Sequence, residues 1–447
     1  MDNIENGVHQ FHSEQESTYV EPEAEVRRSL DRWQDMKLGF MVHWGVYSQW
    51  GIVESWSLSN DDESWSRRDV RNFSERELKE KYGKLHTTFD PVFFDPDEWA
   101  DAAAGGGFKY FVFTTKHHDG FAMYDTKVSD YKITSPDCPY HSKPNANIAK
   151  CLFDSFRSKG LGIGAYFSKP DWRCPYYWEP GAGSRFPSRG PTYTPTIDKD
   201  KWERFKKYTR AQINELATDL GPLDILWLDG GWVNPLEDGQ DLDIARIAAD
   251  VRRILPGLLI VDRTVGGPFE NYVTPEQLIP KTPMFIPWES NITMGTSFSY
   301  RFDDEYKTER ELIHMIADVT AKGGNLVLNA GAEPTGRLPK PALALMKSIG
   351  AWMGRFGEAI YGTRPCPPYR AGNLAFTQKD GAKYAIYMPA EGETVKELVL
   401  PVSGKANSVV LLGRNAALPF FQKHGTLSVA LPPPAPEEAV AFAVKIA

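Results

Sequence analysis

Short apolar segments alternate with amphipathic stretches along most of this chain, and this alternation constrains the fold more than any other feature. The apolar segments, each ending in a polar or glycine-rich corner, are residues 38–44, 110–115, 162–168, 225–229, 258–262, 285–288 and 325–329. The amphipathic stretches between them include residues 97–104, 148–159, 199–220, 241–255 and 309–322. Strands that alternate with helices form parallel sheets, so the pattern predicts an α/β fold, and this many units predicts a (β/α) TIM-like barrel, closed or a variant of it.

An open doubly wound sheet is the alternative α/β architecture. Such a sheet usually carries a glycine-rich nucleotide-binding turn directly after its first strand. The longest glycine run, Gly105-Gly106-Gly107, instead precedes a predicted strand. We interpret it as a turn from a helix into a strand, and we favour the barrel.

The pattern changes after Pro365-Cys366-Pro367-Pro368, where short strands replace the alternation. Residues 373–388 predict a hairpin about Lys379-Asp380-Gly381, and further strand candidates are residues 397–401, 408–412, 426–431 and 439–446. They predict a small antiparallel β-sandwich. The predicted domains are a polar N-terminal extension (1–24), a catalytic barrel (25–362) and a C-terminal sandwich (363–447). We expect the sandwich to pack against the barrel and to reach one rim of its pocket.

Composition excludes several classes of partner. The net charge of −8 and the lack of a basic stripe argue against nucleic acid, because clustered Lys and Arg carry phosphate binding. No segment approaches the length of a membrane span, so no membrane association is expected. Residues 1–21 lack the basic and apolar regions of a signal peptide, which predicts a cytoplasmic protein, although a removed leader would leave the same sequence. A homo-oligomer is compatible with the sequence.

Polar and titratable residues follow nearly every predicted strand. In a (β/α) barrel the carboxyl ends of the strands build the active site, so these residues are expected to converge. The candidates are His43, His117, His118, Asp119, Tyr166, Asp229, Asp262, Arg263, Glu289 and Asn329. The adjacent His117 and His118 predict a pocket floor that holds a polar ligand, rather than a capped loop. The aromatic content of 13% suits a sugar, since flat rings pack on the C–H faces of a pyranose.

Asp229 is the strongest single candidate. It follows the apolar residues 225–228 and precedes Gly230-Gly231, which allow backbone or ligand to come close. Because no helical pattern begins there, we favour a nucleophile over a helix N-cap. Arg263 ends the next predicted strand, where it holds either a ligand group or an ion pair with the neighbouring Asp262.

Four blocks of this chain resemble, in order, those of glycoside hydrolase family 29, the α-L-fucosidases. The blocks are Lys37-Leu38-Gly39-Phe40-Met41-Val42-His43-Trp44-Gly45-Val46-Tyr47-Ser48, Lys116-His117-His118-Asp119-Gly120-Phe121, Trp227-Leu228-Asp229-Gly230 and Asn325-Leu326-Val327-Leu328-Asn329-Ala330-Gly331. Four blocks in the family's order are far more specific than any one of them. They span most of the predicted barrel, and the predicted sandwich fits the family too.

The resemblance implies retaining, exo-acting hydrolysis of terminal α-L-fucosides through a covalent fucosyl-enzyme. The family's nucleophile falls on Asp229. Its sugar-binding residues fall on His43, His117, His118, Tyr166 and Arg263, and its aromatic residue near the C6 methyl group falls on Phe298. The implied substrates are fucosylated oligosaccharides or glycoconjugates, and no cofactor is implied.

Two glutamates compete for the acid/base role that a retaining glycosidase requires. Glu276 lies in a loop after Arg263, where the members that this chain resembles most place the acid/base, and Glu289 follows Trp288 in a block that the family also shares. We favour Glu276, since a loop residue reaches the leaving-group side of a sugar, and expect Glu289 to orient neighbours in the site.

The chain departs from the family's common Glu-Trp-Tyr stretch, whose Glu and Trp contact the sugar. Glu54 with Trp56, or Glu63 with Trp65, stands in its place. We favour Glu54 and Trp56 because they follow the first predicted strand closely.

Three other functions are alternatives to an α-L-fucosidase. A metal-dependent barrel hydrolase needs ligand spacing such as His-x-His on the first strand, but Gly45 stands two residues after His43. The four cysteines show no CxxC spacing, so no metal site is predicted. A catalytically silent fucose-binding protein and an α-L-galactosidase of the same family are the other rivals, and Phe298 argues against the second because it would block a hydroxymethyl group.

Overall fold

The computed structural model describes residues 4–5, 8–9, 21, 23–59, 63–66, 68–179, 189–284, 286–402 and 404–447. Most of the predicted N-terminal extension therefore lies outside the described residues, apart from residues 21, 23 and 24 and the short antiparallel pair Ile4–Glu5 and Val8–His9. Within the described part of the chain, no helix is both long enough and apolar enough to cross a membrane.

Seven parallel strands form one curled sheet, which confirms the predicted barrel in a variant form. They are β1 (Leu38–His43), β2 (Tyr110–Lys116), β3 (Gly162–Ser168), β4 (Ile225–Asp229), β5 (Leu259–Asp262), β6 (Glu289–Thr293) and β7 (Asn325–Gly331). Their order across the sheet is β5-β4-β3-β2-β1-β7-β6. The larger helices are α1 (Ala24–Met36), α2 (Glu75–Tyr82), α3 (Pro96–Gly105), α4 (Ile148–Ser158), α5 (Lys199–Asp219), α6 (Ile244–Ile254), α7 (Glu309–Ala321) and α8 (Lys340–Phe356).

Local sequence signals explain where several helices begin. Asp95 accepts hydrogen bonds from two backbone N–H groups at the start of α3, and Pro96 occupies its first position, where no N–H is needed. Thr308 and Glu311 form a reciprocal capping box at the start of α7. The turn after α3 enters β2, as the glycine run predicts.

An extended segment fills the gap between β5 and β6, where no eighth strand is present among the described residues. The N–H of Asp262 donates to the carbonyl of Phe269 at 2.8 Å, and that of Asn271 to Ile260 at 2.9 Å, in an antiparallel arrangement. The segment then pairs in parallel with β6, from Val273 to Gln277. We call residues 269–277 the closing segment, because its hydrogen bonds complete the barrel wall.

Alternate residues of the strands point into the barrel, as the period of two along a strand requires. The buried interior contains Met41, Tyr110, Val112, Tyr166, Ile225, Trp227, Leu259, Val261, Tyr272 and Val327. Helix α1 covers the floor, where the Trp33 ring stacks on Tyr272 with centroids 3.9 Å apart. The intervening residues, such as Phe40, Phe111 and Phe113, pack against the outer helices.

One predicted strand is displaced along the chain. The apolar residues 285–288 predict a strand, but Phe285 lies outside the described residues and β6 begins at Glu289. Glu289 therefore starts a strand near the barrel floor instead of ending one at the mouth. It is fully buried, and the Tyr110 hydroxyl donates to its Oε2 at 2.5 Å. Its predicted place at the mouth of the barrel is wrong.

The C-terminal region folds as two antiparallel sheets, which confirms the predicted sandwich. Its strands are β8 (Arg364–Ala371), β9 (Leu374–Lys379), β10 (Ala382–Tyr387), β11 (Glu397–Pro401), β12 (Val409–Leu411), β13 (Ala416–Ala417), β14 (Phe420–Lys423), β15 (Thr426–Ala430) and β16 (Phe442–Ile446). The sheet orders are β8-β9-β10-β16-β12-β13 and β11-β15-β14. The hairpin about residues 379–381 is present between β9 and β10.

The sandwich attaches to the outer face of the barrel. The Trp352 indole N–H on α8 donates to the Ala441 carbonyl at 2.9 Å, and Arg310 on α7 donates to the Pro389 carbonyl at 2.6 Å. The sandwich therefore contacts the helix layer of the barrel. No residue of the sandwich lines the two described cavities, whose last lining residue in the chain is Glu311. The prediction that the sandwich reaches the pocket rim is wrong for these cavities.

Burial of Glu289 predicts a pH-dependent stability term. Burial raises its pKa from 4.5 to about 7, so between these values the unfolded chain ionises while the folded chain keeps its proton. This contribution to stability is complete below pH 4.5 and is lost as the pH rises to about 7. We compare the free energy of unfolding of the wild type with that of Glu289→Gln by urea unfolding. We expect the wild-type value to decrease relative to that of Glu289→Gln by on the order of 3 kcal/mol as the pH rises over this range.

The exposed Glu391→Gln substitution on the sandwich is the matched control and should leave the pH profile unchanged. A difference between wild type and Glu289→Gln that stays constant with pH would contradict the assignment.

Candidate active site

One cavity of about 470 Å³ opens at the carboxyl ends of the barrel strands, and it collects most of the predicted site residues. We call it the inner pocket. The predicted residues that line it are His43, Glu54, Trp56, His117, Tyr166, Asp229, Arg263, Glu276 and Phe298. His118 lies fully buried beside them, with its Nε2 atom 3.7 Å from Oδ2 of Asp229. Glu289 does not line the inner pocket, because it lies near the floor of the barrel.

Asp229 ends β4 where the chain makes a close approach to neighbouring backbone. Gly230 has a φ of +89°, and a Cβ atom there would come within 2.3 Å of the Pro170 ring. A Cβ on Gly231 would lie 2.8 Å from the Arg263 carbonyl oxygen. Only glycines fit this turn, which directs the Asp229 carboxylate into the inner pocket. The next helix after Asp229 begins at Ile244, so Asp229 caps no helix.

Two side chains hold the Asp229 carboxylate in its ionised form. The Arg263 guanidinium donates to Oδ1 at 3.1 Å, and the Tyr166 hydroxyl donates to Oδ2 at 2.6 Å. Burial alone would raise the pKa of Asp229, but the Arg263 charge and the hydrogen bonds hold that pKa well below its ordinary value. A permanently ionised carboxylate at the pocket floor suits a nucleophile.

Arg263 also binds Glu276, and the closing segment fixes both. Its second guanidinium nitrogen donates to Glu276 Oε2, and its Nε donates to Thr274 Oγ1 at 3.0 Å. The backbone on either side of Glu276 is hydrogen-bonded to Asn291 of β6. The side chain of Glu276 is 43% exposed, so a hydrogen-bonded backbone carries a carboxyl group that remains accessible.

His43 and His118 are neutral in the folded protein and present one lone pair each. The Asn329 amide donates to the Phe298 carbonyl at 2.7 Å, so its Oδ1 accepts from Nδ1 of His43 at 2.7 Å. The Ser168 hydroxyl donates to the Pro170 carbonyl and accepts from Nδ1 of His118 at 2.7 Å. Burial lowers the pKa of both histidines to about 4.

His117 completes this set. Its Nδ1 lies 2.5 Å from the Ser55 hydroxyl, and burial holds its pKa well below the ordinary value. Its ring stacks beside Tyr166, with the planes 6° apart. The inner pocket therefore places neutral imidazoles beside the ionised carboxylate of Asp229.

Glu54 and Trp56 line the inner pocket on the side of the first strand. The N–H of Ser299 donates to Oε1 of Glu54 at 2.7 Å, and burial raises the pKa of Glu54 to about 7. The Trp56 ring lies edge-on to His118, with centroids 5.0 Å apart. Of the competing pair, the Glu63 side chain lies outside the described residues, and Trp65 is exposed at the edge of a neighbouring cavity.

The sequence does not predict several of the residues that line the inner pocket. They are Arg189, Trp227, Trp232, Asn234, Leu236, Glu237 and Asn291. Trp227 precedes Asp229 by two residues on β4, so strand alternation alone places both on the inner side. Asn291 follows from the correct bounds of β6, which the displaced prediction obscures.

Comparison with known proteins shows the family of the chain. The family model described as alpha-L-fucosidase matches residues 7–358 of the chain. The chain belongs to the α-L-fucosidase family. It is a glycoside hydrolase.

Relatives of the enzyme match over nearly their whole length. An α-L-fucosidase of Branchiostoma floridae is 26% identical, with 91% of this chain and 90% of the relative covered. The tissue α-L-fucosidase of Rattus norvegicus is also 26% identical, covering 88% and 84%. Among solved structures, α-L-fucosidase isoenzyme 1 of Paenibacillus thiaminolyticus is 25% identical and has a TM-score of 0.78, with 95% of this chain and 99% of that chain covered.

The enzyme is expected to bind no structural or catalytic metal at this site. Side-chain ligand atoms of His117, His118 and Asp229 lie within 4.8 Å of one another. However, Asp229 already accepts from a guanidinium cation, which opposes a second cation at the same carboxylate. We expect no stoichiometric zinc in the purified protein by plasma mass spectrometry, and no change in melting temperature after dialysis against a chelator. Zinc that copurifies and is lost together with stability would contradict this prediction.

Proposed function

We propose that the enzyme is an exo-acting, retaining α-L-fucosidase with Asp229 as nucleophile and Glu276 as acid/base. The observation that carries this proposal is the placement of both carboxyl groups on one guanidinium, that of Arg263. A retaining glycosidase uses two carboxyl groups about 5–5.5 Å apart on opposite sides of the scissile bond. Two carboxyl groups held by one planar guanidinium fork are close enough to act together on one bond.

In the first step, an Asp229 oxygen attacks C1 of the sugar while the bond from C1 to the leaving oxygen breaks. Protonated Glu276 gives its proton to that oxygen, and a covalent fucosyl-enzyme results. In the second step, the Glu276 carboxylate takes a proton from water, the water oxygen bonds to C1, and Asp229 leaves.

The remaining residues select the sugar. The Nε2 lone pairs of His43 and His118 accept hydrogen bonds from sugar hydroxyls, as does Glu54, and Phe298 supplies an apolar wall for the C6 methyl group. The Phe298 ring lies 5.0 Å from His43 and lines the inner pocket. A similar solved structure, the α-L-fucosidase of Thermotoga maritima, is 25% identical and is a complex with fucose, which supports fucose as the sugar.

Substitution of Asp229 tests the nucleophile. We expect Asp229→Gly to lower kcat/KM on an aryl α-L-fucoside by about 10³-fold or more, because no covalent intermediate forms. Added azide should occupy the space of the missing carboxylate and give β-L-fucosyl azide, identified by nuclear magnetic resonance.

Asp238→Gly is the matched control, since Asp238 is exposed on the same loop and already has a φ of +50°. Turnover by Asp229→Gly at the wild-type rate would overturn the assignment. Release of no phenol by the wild type, with fucose still bound, would leave a sugar-binding protein.

Substitution of Glu276 tests the acid/base. We expect Glu276→Ala to lose about 10²- to 10⁴-fold in kcat/KM on a fucoside with a poor leaving group, and far less on a dinitrophenyl fucoside, which needs little acid assistance. Azide should restore turnover and give α-L-fucosyl azide. Glu289→Ala, tested in parallel, should show no leaving-group dependence and no azide product, and the reverse pattern would assign the role to Glu289.

Phe298 tests the choice between fucose and galactose. We expect the wild type to prefer an aryl α-L-fucoside over the matching α-L-galactoside by about 10- to 200-fold, the range for one small group against an apolar wall. Phe298→Ala should narrow this ratio, measured as the quotient of the two kcat/KM values. Phe302→Ala is the control, because Phe302 is an exposed neighbour that lines neither the inner pocket nor the neighbouring cavity. A ratio that does not change in Phe298→Ala would remove Phe298 from this role.

A further inference from the structure

A second cavity of about 1050 Å³ opens directly beside the inner pocket, and we call it the outer cleft. The two cavities share Glu54, Trp56, Arg189, Glu276 and Phe298. We propose that the outer cleft binds the leaving group of the substrate and that it takes a neutral oligosaccharide in preference to an anionic one. This inference rests on the proposed function.

The position of Glu276 decides on which side the leaving group lies. An acid that protonates the glycosidic oxygen stands between the sugar that reacts and the group that departs. Glu276 lines both cavities, whereas Asp229, Arg263 and the histidines line only the inner pocket or lie beneath it. The leaving oligosaccharide therefore begins beside Glu276 and extends into the outer cleft.

The size and walls of the outer cleft suit a carbohydrate. Its volume is more than twice that of the inner pocket, so it has room for more than one sugar unit. The Trp65 ring is 41% exposed on its wall and lies 5.8 Å from the Trp56 ring. An exposed flat ring next to fixed polar groups is the arrangement that binds sugar C–H faces and hydroxyls together.

The polar groups of the outer cleft are fixed by the protein. The Arg301 side chain is only 9% exposed, and it donates to Asp69 at 3.2 Å and to Asp303 at 2.9 Å. The Lys307 ammonium donates to the Thr293 carbonyl at 2.6 Å and to the Gly295 carbonyl at 3.1 Å. Preorganised groups of this kind orient a neutral polyol without further loss of side-chain entropy.

The charge of the outer cleft disfavours an anionic leaving group. Its described lining contains five acidic residues, Glu54, Glu276, Asp303, Glu305 and Glu311, against three basic residues, Arg189, Arg301 and Lys307. Because burial raises the pKa of Glu54 to about 7, we leave Glu54 out of the charge count, and four acidic residues still outnumber three basic ones. Arg301 and Lys307 are already bound to carboxylates or carbonyls, and Glu305 is exposed to solvent. An excess of acidic groups in a concave surface repels a sialylated or sulfated chain.

The first experiment separates the outer cleft from the inner pocket. α-L-Fucosyl fluoride has a single atom as its leaving group, so it reports the inner pocket alone, while fucosylated lactose reports both cavities. We expect Trp65→Ala to lower kcat/KM on fucosylated lactose at least fivefold and to change that on the fluoride less than twofold. Trp65→Tyr should recover part of the loss. Phe421→Ala, an exposed aromatic on the sandwich, should change neither value.

These outcomes distinguish the proposed function from the proposed role of the outer cleft. An enzyme that hydrolyses neither substrate would overturn the proposed function. Hydrolysis of both with no effect of Trp65→Ala, or with an equal loss on both, would overturn the outer cleft as the leaving-group site.

The second experiment tests charge. We expect a lower kcat/KM on a sialylated fucosyl-oligosaccharide than on its neutral parent, with a difference that shrinks as sodium chloride is raised, because salt screens exposed charges. Glu305→Lys should narrow the difference, whereas Glu391→Lys on the sandwich should not. Equal or better turnover of the anionic substrate by the wild type would overturn the preference.

Discussion

The Arg263 guanidinium is the interaction on which the site depends. It joins Asp229 at the end of β4, Thr274 and Glu276 of the closing segment, and the face of the Trp227 ring, 5.0 Å away. A cation with only 13% of its side chain exposed is costly unless it is paired, and two carboxylates balance it here. The same side chain therefore keeps Asp229 ionised and holds Glu276 at the mouth of the pocket.

The closing segment gives this cluster its rigidity. Its alternate residues Tyr272, Thr274 and Glu276 run from the floor to the mouth, as an extended chain requires. At the floor, Tyr272 stacks on Trp33 of α1, and at the mouth, the backbone around Glu276 is bonded to Asn291 of β6. A segment without regular secondary structure is thus anchored at both ends. Under the proposed function, this anchoring explains how a loop position can carry a group that must be placed accurately for proton transfer.

The sequence predicts β3 and β4 with the bounds that the structure has, because each apolar run stops at a polar or glycine-rich corner. It also predicts that most polar strand ends share one pocket, since parallel strands carry their ends to one edge. It misplaces β6 because residues 289–293 are polar except for Ile292 and an apolar run lies just before them. Glu289 and Asn291 tolerate burial there through contacts with Tyr110 and the closing segment, and pairings between such distant residues leave no local pattern.

The charge state of the inner pocket indicates what kind of ligand fits it. Burial keeps His43, His117 and His118 neutral, and backbone-anchored acceptors fix the tautomers of His43 and His118, so each presents a lone pair. Asp229 is the ionised group, and Arg263 already neutralises it. An anionic ligand would meet lone pairs, and a metal cation would meet a guanidinium. Under the proposed function, a neutral polyol donates hydroxyl protons to the lone pairs of His43 and His118 and leaves the Asp229 carboxylate free to attack.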